Sequence, residues 1–178
     1  MKYAMYCENG HRIAFVDANT GEREHNYIGD FRAVLLDADA DGNLIPLPKF
    51  CAECGAKTMG KCHGCGVFIQ YNDSKVHYVP NYCTECGEPF PWVSSALQEL
   101  GRVTDEANEL TPGEKDALKR AYPELTKNTA KTRGAVETLK AYFSRFSPPA
   151  MAIVRTVLVN VMTDEGKQSL NTLFSHFK

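Results

Sequence analysis

The sequence predicts an α+β protein, with a β-rich double zinc-ribbon module over residues 1–92 and a bundle of about five helices over residues 93–178. Two observations predict this class. The motif Cys-x-x-Cys-Gly occurs three times between residues 51 and 87, and such turns present paired thiolates to a metal ion. After residue 92 the apolar residues change to helical spacing. The chain has 178 residues, of which 43% are hydrophobic, which suits one domain or two small ones.

The three Cys-x-x-Cys-Gly turns supply six thiolates: Cys51 and Cys54, Cys62 and Cys65, and Cys83 and Cys86. The glycine after each pair lets the backbone turn back so that its N–H groups point at the sulfurs. Seventeen residues separate Cys65 from Cys83, a separation typical of zinc sites that are built from two such turns. The spacing therefore predicts tetrahedral zinc sites.

Two closed tetrahedral sites need eight ligands, and the remaining pair is predicted in Cys7-Glu-Asn-Gly-His11. This pair also accounts for the seventh cysteine, which would otherwise be a free thiol. His63 and His77 are predicted to lie near the metals or on the surface, and His25 and His176 carry no signal.

The order in which the turns share metals is a separate question. Sequential pairing gives two zinc sites: Cys7, His11, Cys51 and Cys54 in site 1, and Cys62, Cys65, Cys83 and Cys86 in site 2. Crossed pairing would join the first turn to the third and the second to the fourth. Because shorter loops close at a lower entropic cost, we favour the sequential arrangement.

Several strands are predicted around the turns. Aromatic and β-branched residues flank the first turn over residues 1–16, residues 17–30 are predicted to be a loop, and the runs 67–71 and 75–79 suit a ribbon hairpin. A further hairpin is predicted from strand 31–36, the turn Asp37–Asn43 and residues 44–48. The acidic turn Asp37–Asp41 resembles the start of an EF-hand loop, but Pro48 stands where the bidentate Glu belongs. A plain turn is favoured, and a weak cation site stays open.

The second half of the chain predicts helices. An apolar stripe runs from Val93 to Leu110, Thr111-Pro-Gly-Glu114 is a capping box, and a third helix covers roughly residues 127–146. Ser147-Pro-Pro149 begins a fourth helix, and Thr163-Asp-Glu165 begins the last one. The fourth helix is apolar on nearly every side, so it is either buried in the core or covered by a second copy.

The charge is divided unevenly along the chain. Residues 1–90 contain eight Lys and Arg against twelve Asp and Glu, whereas residues 91–178 contain twelve against ten. An acidic ribbon half repels phosphate. The basic run 115–145 is therefore the better nucleic-acid candidate, with Lys119, Arg120, Lys127, Lys131 and Arg133 as its residues. A solvated helix face with pairs four residues apart is the favoured interpretation of this run.

Other function classes receive little support. No apolar run reaches 18 residues, so no membrane span is predicted, and the first residues lack the apolar core of a signal peptide. Unexported Cys-x-x-Cys pairs predict a reducing, cytoplasmic setting. The sequence contains no Gly-x-Ser-x-Gly, P-loop or His-Glu-x-x-His motif, and a closed zinc site leaves no position for water. The expectation is a non-enzymatic interaction or scaffold module that binds a protein partner or self-associates through its C-terminal helices.

The motif set resembles a family of small, uncharacterised bacterial proteins in which a double zinc ribbon precedes a helical region. The matching segments are Cys7-Glu-Asn-Gly-His11, Phe50-Cys-Ala-Glu-Cys-Gly-Ala-Lys-Thr58, Cys62-His-Gly-Cys65 and Tyr82-Cys-Thr-Glu-Cys-Gly-Glu-Pro-Phe-Pro-Trp92. They cover about the first half of the chain, and the helical half matches in character. The resemblance implies the two zinc sites and a bacterial, intracellular setting, and it implies no activity.

Overall fold

The computed structural model describes residues 2–17, 23–24, 36–38, 44–46, 48–70, 79–164 and 166–170. The chain divides into two compact units, Met1–Trp92 and Val93–Lys178. In the described residues, strands occupy the first unit and helices follow them. This order confirms the α+β class.

The main sheet of the first unit has the strand order β3-β2-β1-β6. Its strands are β1 (Lys2–Cys7), β2 (Arg12–Asp17), β3 (Arg23–Glu24) and β6 (Thr58–Met59). β1 and β2 form the predicted antiparallel hairpin around the first turn, with Lys2 opposite Asp17. β1 also pairs with β6, so that Cys7 lies opposite Thr58. This pairing brings the Cys7 turn close to the Cys51 turn.

Part of the predicted loop 17–30 was wrong, because Arg23 and Glu24 form a strand at the edge of the sheet. Two polar residues carry no strand pattern, and their placement comes from backbone pairing with β2. The second hairpin is confirmed in part. β5 (Leu44–Pro46) lies within the predicted strand 44–48 and pairs with β4 (Leu36–Ala38), but β4 extends over Asp37 and Ala38, which were predicted to belong to the turn. Its acidic turn over residues 39–43 lies outside the described residues, as do most of the predicted ribbon hairpin, residues 71–78, and residues 31–35.

Aromatic side chains fill the small core of the first unit. The Trp92 ring stacks on Phe90 with 4.9 Å between ring centroids and lies 5.3 Å from Tyr6. The indole N–H of Trp92 donates a hydrogen bond to the carbonyl oxygen of Pro80 at 2.9 Å. This single tryptophan of the chain therefore joins β1 to the segment before the last turn.

The second unit contains four helices with complete boundaries and a shorter helical stretch among its described residues. They are α1 (Pro91–Glu106, which begins just before the unit boundary), α2 (Pro112–Leu125), α3 (Thr132–Phe143) and α4 (Pro148–Val161), followed by residues 164 and 166–170. One cluster of buried side chains from all of them forms the core, with Leu118, Leu139 and Leu158 fully buried. The capping box at Thr111 is confirmed, because the Glu114 carboxylate accepts a hydrogen bond from the Thr111 N–H at 2.8 Å.

Three predicted helix limits lay too far out: the end of α1, the start of α3 and the end of α3, which is Phe143 instead of residue 146. The apolar side chains of the predicted stripe up to Leu110 do face the core. However, α1 ends at Glu106, and Ala107 and Leu110 reach the core from a turn after the helix. α3 begins at Thr132 instead of residue 127. The Thr132 hydroxyl donates to the Lys127 carbonyl at 2.7 Å, and this hydrogen bond stabilises a separate turn before the helix.

The apolar helix α4 is buried on one side only. Val154, Leu158 and Val161 lie in the core, whereas Ile153 and Val159 are 39% and 40% exposed. Burial thus accounts for the inner face and leaves an apolar outer face. Within the part of the chain that the structure describes, no helix is both long and apolar enough to cross a membrane.

Candidate metal centres

The three Cys-x-x-Cys-Gly turns share one backbone geometry. In the first of them the Cys51 N–H donates to the Ala56 carbonyl, and the Gly55 N–H donates back to the Cys51 carbonyl, both at 2.8 Å. The turns at Cys62 and Cys83 repeat both bonds. The final glycine of each turn has φ between 70° and 73°, a conformation that other residues adopt only with strain. The sequence repeat is thus a structural repeat.

The turn at Cys7 differs from the other three in length and in ligand order. The Cys7 N–H donates to the His11 carbonyl at 2.9 Å, and the Gly10 N–H donates to the Cys7 carbonyl at 2.8 Å. The glycine, at φ 82°, therefore comes before the second ligand residue instead of after it. A Cβ on Gly10 would lie 3.2 Å from the Trp92 ring, so the tryptophan packs directly against this turn.

The structure brings together the four residues of predicted site 1: Cys7, His11, Cys51 and Cys54. Their ligand atoms all lie within 4.8 Å of one another. The Cys7 and Cys54 sulfurs are 3.7 Å apart, and the Cys51 sulfur is 3.6 Å from His11 Nδ1. Zinc bond lengths in a tetrahedron require about 3.8 Å between two sulfurs and about 3.6 Å between sulfur and nitrogen. The spacing fits a metal bound through Nδ1.

The structure likewise brings together Cys62, Cys65, Cys83 and Cys86, the residues of predicted site 2. Cys62 and Cys86 have their sulfurs 3.7 Å apart, and Cys65 and Cys83 have theirs 3.6 Å apart. These distances fit the same tetrahedron and are far longer than a disulfide bond of about 2.05 Å. All seven cysteines are free thiols. Each of the two groups could therefore hold one metal ion, in the sequential arrangement.

Hydrogen bonds favour the charged form of particular thiols in site 1. The N–H of Ala56 and the side-chain amide of Asn9, at 3.4 Å, lower the pKa of Cys54 to about 6. Burial raises the pKa of Cys7 to about 11, although the N–H of His11, 3.3 Å from the Cys7 sulfur, favours the thiolate. The hydrogen bond to Cys51 raises the pKa of His11. Metal binding requires the thiolate and neutral imidazole forms of these groups, so a bound cation would displace their protons.

In site 2, as in site 1, one thiol has a lowered pKa and another has a raised pKa. Burial opposes ionisation of Cys83, but the N–H groups of Cys86 and Glu85 lower its pKa to about 7. The N–H of Glu88 favours the Cys86 thiolate, yet burial and the neighbouring thiols raise the pKa of Cys86 to about 12. Four negative sulfurs repel one another at this separation, so all four ionise together only around a positive ion.

Other candidate residues of the sequence are placed differently. His63 is exposed in its turn and belongs to neither group, while His25, His77 and His176 lie outside the described residues. The acidic turn Asp37–Asp41 also falls largely outside them. Sequence reasoning missed Trp92 as a neighbour of site 1, because no residue spacing connects it to the cysteines. It also missed the hydrogen bond from the Asn9 side chain to Cys54, although Asn9 lies within the predicted turn.

The basic residues of the helical unit are partly neutralised. Lys119 pairs with Asp105 at 2.6 Å, and Lys127 pairs with Glu124 at 3.6 Å. Among the described residues, Arg120, Lys131 and Arg133 form no ion pair, and all three are exposed. The five candidates for nucleic-acid contact thus divide into two paired and three unpaired cations.

Comparison with known proteins identifies a family. Residues 36–170 match a family model described as "Uncharacterized protein conserved in bacteria (DUF2321)". The matched range contains six of the eight candidate ligands, and Cys7 and His11 precede it. Neither a curated protein nor a solved structure gives a significant match.

Proposed function

The chain belongs to the DUF2321 family of bacterial proteins, and we propose that it is a zinc-stabilised, non-enzymatic protein-interaction or scaffold module of a reducing compartment such as the cytoplasm. The observation that carries this proposal is the completeness of the two ligand groups. Each group has four ligand atoms within 4.8 Å of one another, which is the full set for a structural zinc site.

Zinc is the metal that the donor set favours. Three thiolates with one imidazole, and four thiolates, are typical structural zinc ligand sets, and the sulfur separations fit zinc bond lengths. The four-thiolate group also suits iron, so the metal must be identified by mass. Zinc in both sites would tie the four turns of the first unit to one another in pairs.

A closed zinc site supports a structural role. Catalytic zinc keeps one position for water or substrate, with three protein ligands. Here a fourth protein ligand is in place in both groups. The non-enzymatic proposal follows from that saturation.

Exposed apolar side chains supply the contact surfaces of the proposed module. Phe50, beside the second turn, is 57% exposed. On α4, every exposed residue is uncharged: Pro148, Pro149, Ala152, Ile153, Thr156, Val159 and Asn160. Ile153 and Val159 lie near the two edges of this exposed side of α4, with Thr156 between them. The exposed side suits a second copy of itself, since its exposed side chains carry no charge to repel.

Analytical ultracentrifugation of the zinc-loaded protein tests self-association. The expected result is a concentration-dependent dimer that the double variant Ile153→Lys, Val159→Lys converts to monomer, because two like-charged faces would then meet. The double variant Asn128→Lys, Ser144→Lys carries the same added charge at exposed positions off this face and should still dimerise. A wild-type protein that stays monomeric at every concentration would remove the self-association part and leave a separate partner protein to be sought through Phe50.

Nucleic-acid binding is the second candidate function, favoured by the unpaired Arg120, Lys131 and Arg133. It predicts an affinity that falls steeply with salt, since phosphate contacts release counterions. Electrophoretic mobility shifts with labelled DNA and RNA at low salt test it, with an Arg120→Gln, Arg133→Gln variant as comparison. Absence of any shift at low salt would reject this candidate.

A further inference from the structure

A cleft lies between α2 and α3 in the helical unit. It has a volume of about 260 Å³ and is lined by Ala117, Arg120, Ala121, Glu124, Lys131, Ala135 and Thr138. On α2 the lining residues recur at intervals of three and four, and on α3 they do the same, so one face of each helix forms a wall. Three of the seven are alanines: Ala121 and Ala135 are buried in the core cluster and form the floor of the cleft, and Ala117 is half-buried.

The charges at this cleft leave a positive excess. Glu124 is neutralised by Lys127 at 3.6 Å, so the carboxylate does not compensate the other cations. Arg120 and Lys131 both line the cleft, and neither has an ion-pair partner among the described residues. Two uncompensated cations that share one small cleft attract an anion more strongly than either would alone.

The start of α3 adds to the positive potential at the cleft. Lys131 is the N-cap residue of this 12-residue helix, and its side chain forms no capping hydrogen bond. The first turn contains no acidic residue. The Thr132 N–H already donates to the Thr129 carbonyl at 3.0 Å, so the start of α3 contributes the positive potential of its helix dipole beside the two cations. Thr138, whose hydroxyl donates to the Gly134 carbonyl at 3.0 Å, keeps its oxygen lone pairs for a ligand hydroxyl or N–H.

From this arrangement we propose that the α2–α3 cleft binds a small organic anion, with a phosphate or carboxylate group between Arg120 and Lys131 and an apolar part over the alanines. A guanidinium and an ammonium group suit the anionic group. The methyl groups of Ala117, Ala121 and Ala135 suit an apolar body. This site is independent of the zinc proposal, since none of its residues belongs to a metal centre.

An NMR titration of the ¹⁵N-labelled, zinc-loaded full chain tests the cleft, with phenyl phosphate, benzoate and inorganic phosphate as probes. The expected result is saturable shifts of the amides over residues 117–124 and 131–138. Phenyl phosphate should bind about tenfold more tightly than inorganic phosphate, because only the ester covers the alanines. The ratio of phenyl phosphate to benzoate affinity assigns the anionic group as phosphate or carboxylate.

Variants separate this site from general charge attraction. Arg120→Gln and Lys131→Gln should each weaken phenyl phosphate binding about tenfold or more, whereas Lys140→Gln, which removes an exposed cation outside the cleft, should leave the affinity unchanged. Ala117→Leu should fill the cleft and abolish the advantage of phenyl phosphate over inorganic phosphate. Equal weakening by Lys140→Gln, or shifts that never saturate, would overturn the proposal. So would tight binding of an oligonucleotide to the same amides without any binding of phenyl phosphate.

Discussion

The two units of this chain differ in what holds each one together. In the helical unit, a single cluster of 17 buried side chains joins all the described helices. In the first unit, eleven described hydrophobic side chains are buried, and four of them are the metal-site cysteines Cys7, Cys51, Cys62 and Cys83. Ligand residues therefore make up about a third of the described buried side chains of the first unit. We accordingly expect the helical unit to be stabilised by apolar burial and the first unit to require bound metal.

The largest expected effect comes from metal removal. Structural zinc contributes apparent free energies of about 10–16 kcal/mol in zinc-finger peptides, which is as large as the whole unfolding free energy of a typical domain. Chelation under reducing conditions should unfold residues 1–92 and leave most of the helical circular dichroism. Trp92 fluorescence reports the loss, since this ring packs on Gly10 of the site 1 turn. Simultaneous loss of the helical signal would contradict the division between the units.

A core truncation should produce the opposite pattern. Leu139→Ala removes a fully buried side chain of the helical cluster and should lower the unfolding free energy of that unit by about 2–5 kcal/mol. Chemical denaturation followed by circular dichroism measures this loss. The metal content should stay at the wild-type value, and a variant that loses metal together with stability would show that the two units fold as one.

A single glycine tests the unusual turn of site 1. Gly10→Ala places a Cβ at positive φ and 3.2 Å from the Trp92 ring, with a backbone cost of about 1–2 kcal/mol. The affinity of site 1 for zinc should fall, as measured by competition with a chelator, while site 2 is unaffected. Gly101→Ala is the matched control, because its Cβ meets nothing within 4 Å and alanine is the better helix former.

The smallest effect concerns the capping box of α2. Hydrogen bonding by the Thr111 N–H lowers the pKa of Glu114. A depressed carboxyl pKa contributes stability that is present above the unfolded pKa near 4.3 and is lost as the pH falls through the folded value. Glu114→Gln should therefore lower the melting temperature of the helical unit at pH 7, with the difference vanishing in acid. Glu109→Gln, a nearby exposed change, should show no such dependence on pH.

Much of the site could be predicted because ligand spacing is a local property. Repeated Cys-x-x-Cys-Gly motifs report both the ligand and the turn geometry, and counting to eight ligands adds Cys7 and His11. The contact of Trp92 with Gly10 could not be predicted, because it arises from the path of the chain in three dimensions.

The helices show a similar limit. Proline and the capping box mark the starts of α2 and α4 correctly, since these signals are local. The end of α1 and the start of α3 carry no such signal. The start of α3 is set by the turn before it, in which the Thr132 hydroxyl donates to the Lys127 carbonyl. The outer face of α4 could not be assigned either, because an apolar pattern does not state how many neighbours a helix has.

Native mass spectrometry of protein purified without added metal tests the central claim most directly. It reports the metal mass, the number of metals per chain and the assembly state in one measurement. We expect two zinc ions per chain in the wild type. Cys83→Ser should retain one because site 2 loses its zinc, and His11→Ala should retain one because site 1 loses its zinc. A wild-type chain that carries one metal, no metal or iron would contradict the two closed zinc sites, and an unchanged zinc count in His11→Ala would reopen site 1 to catalysis.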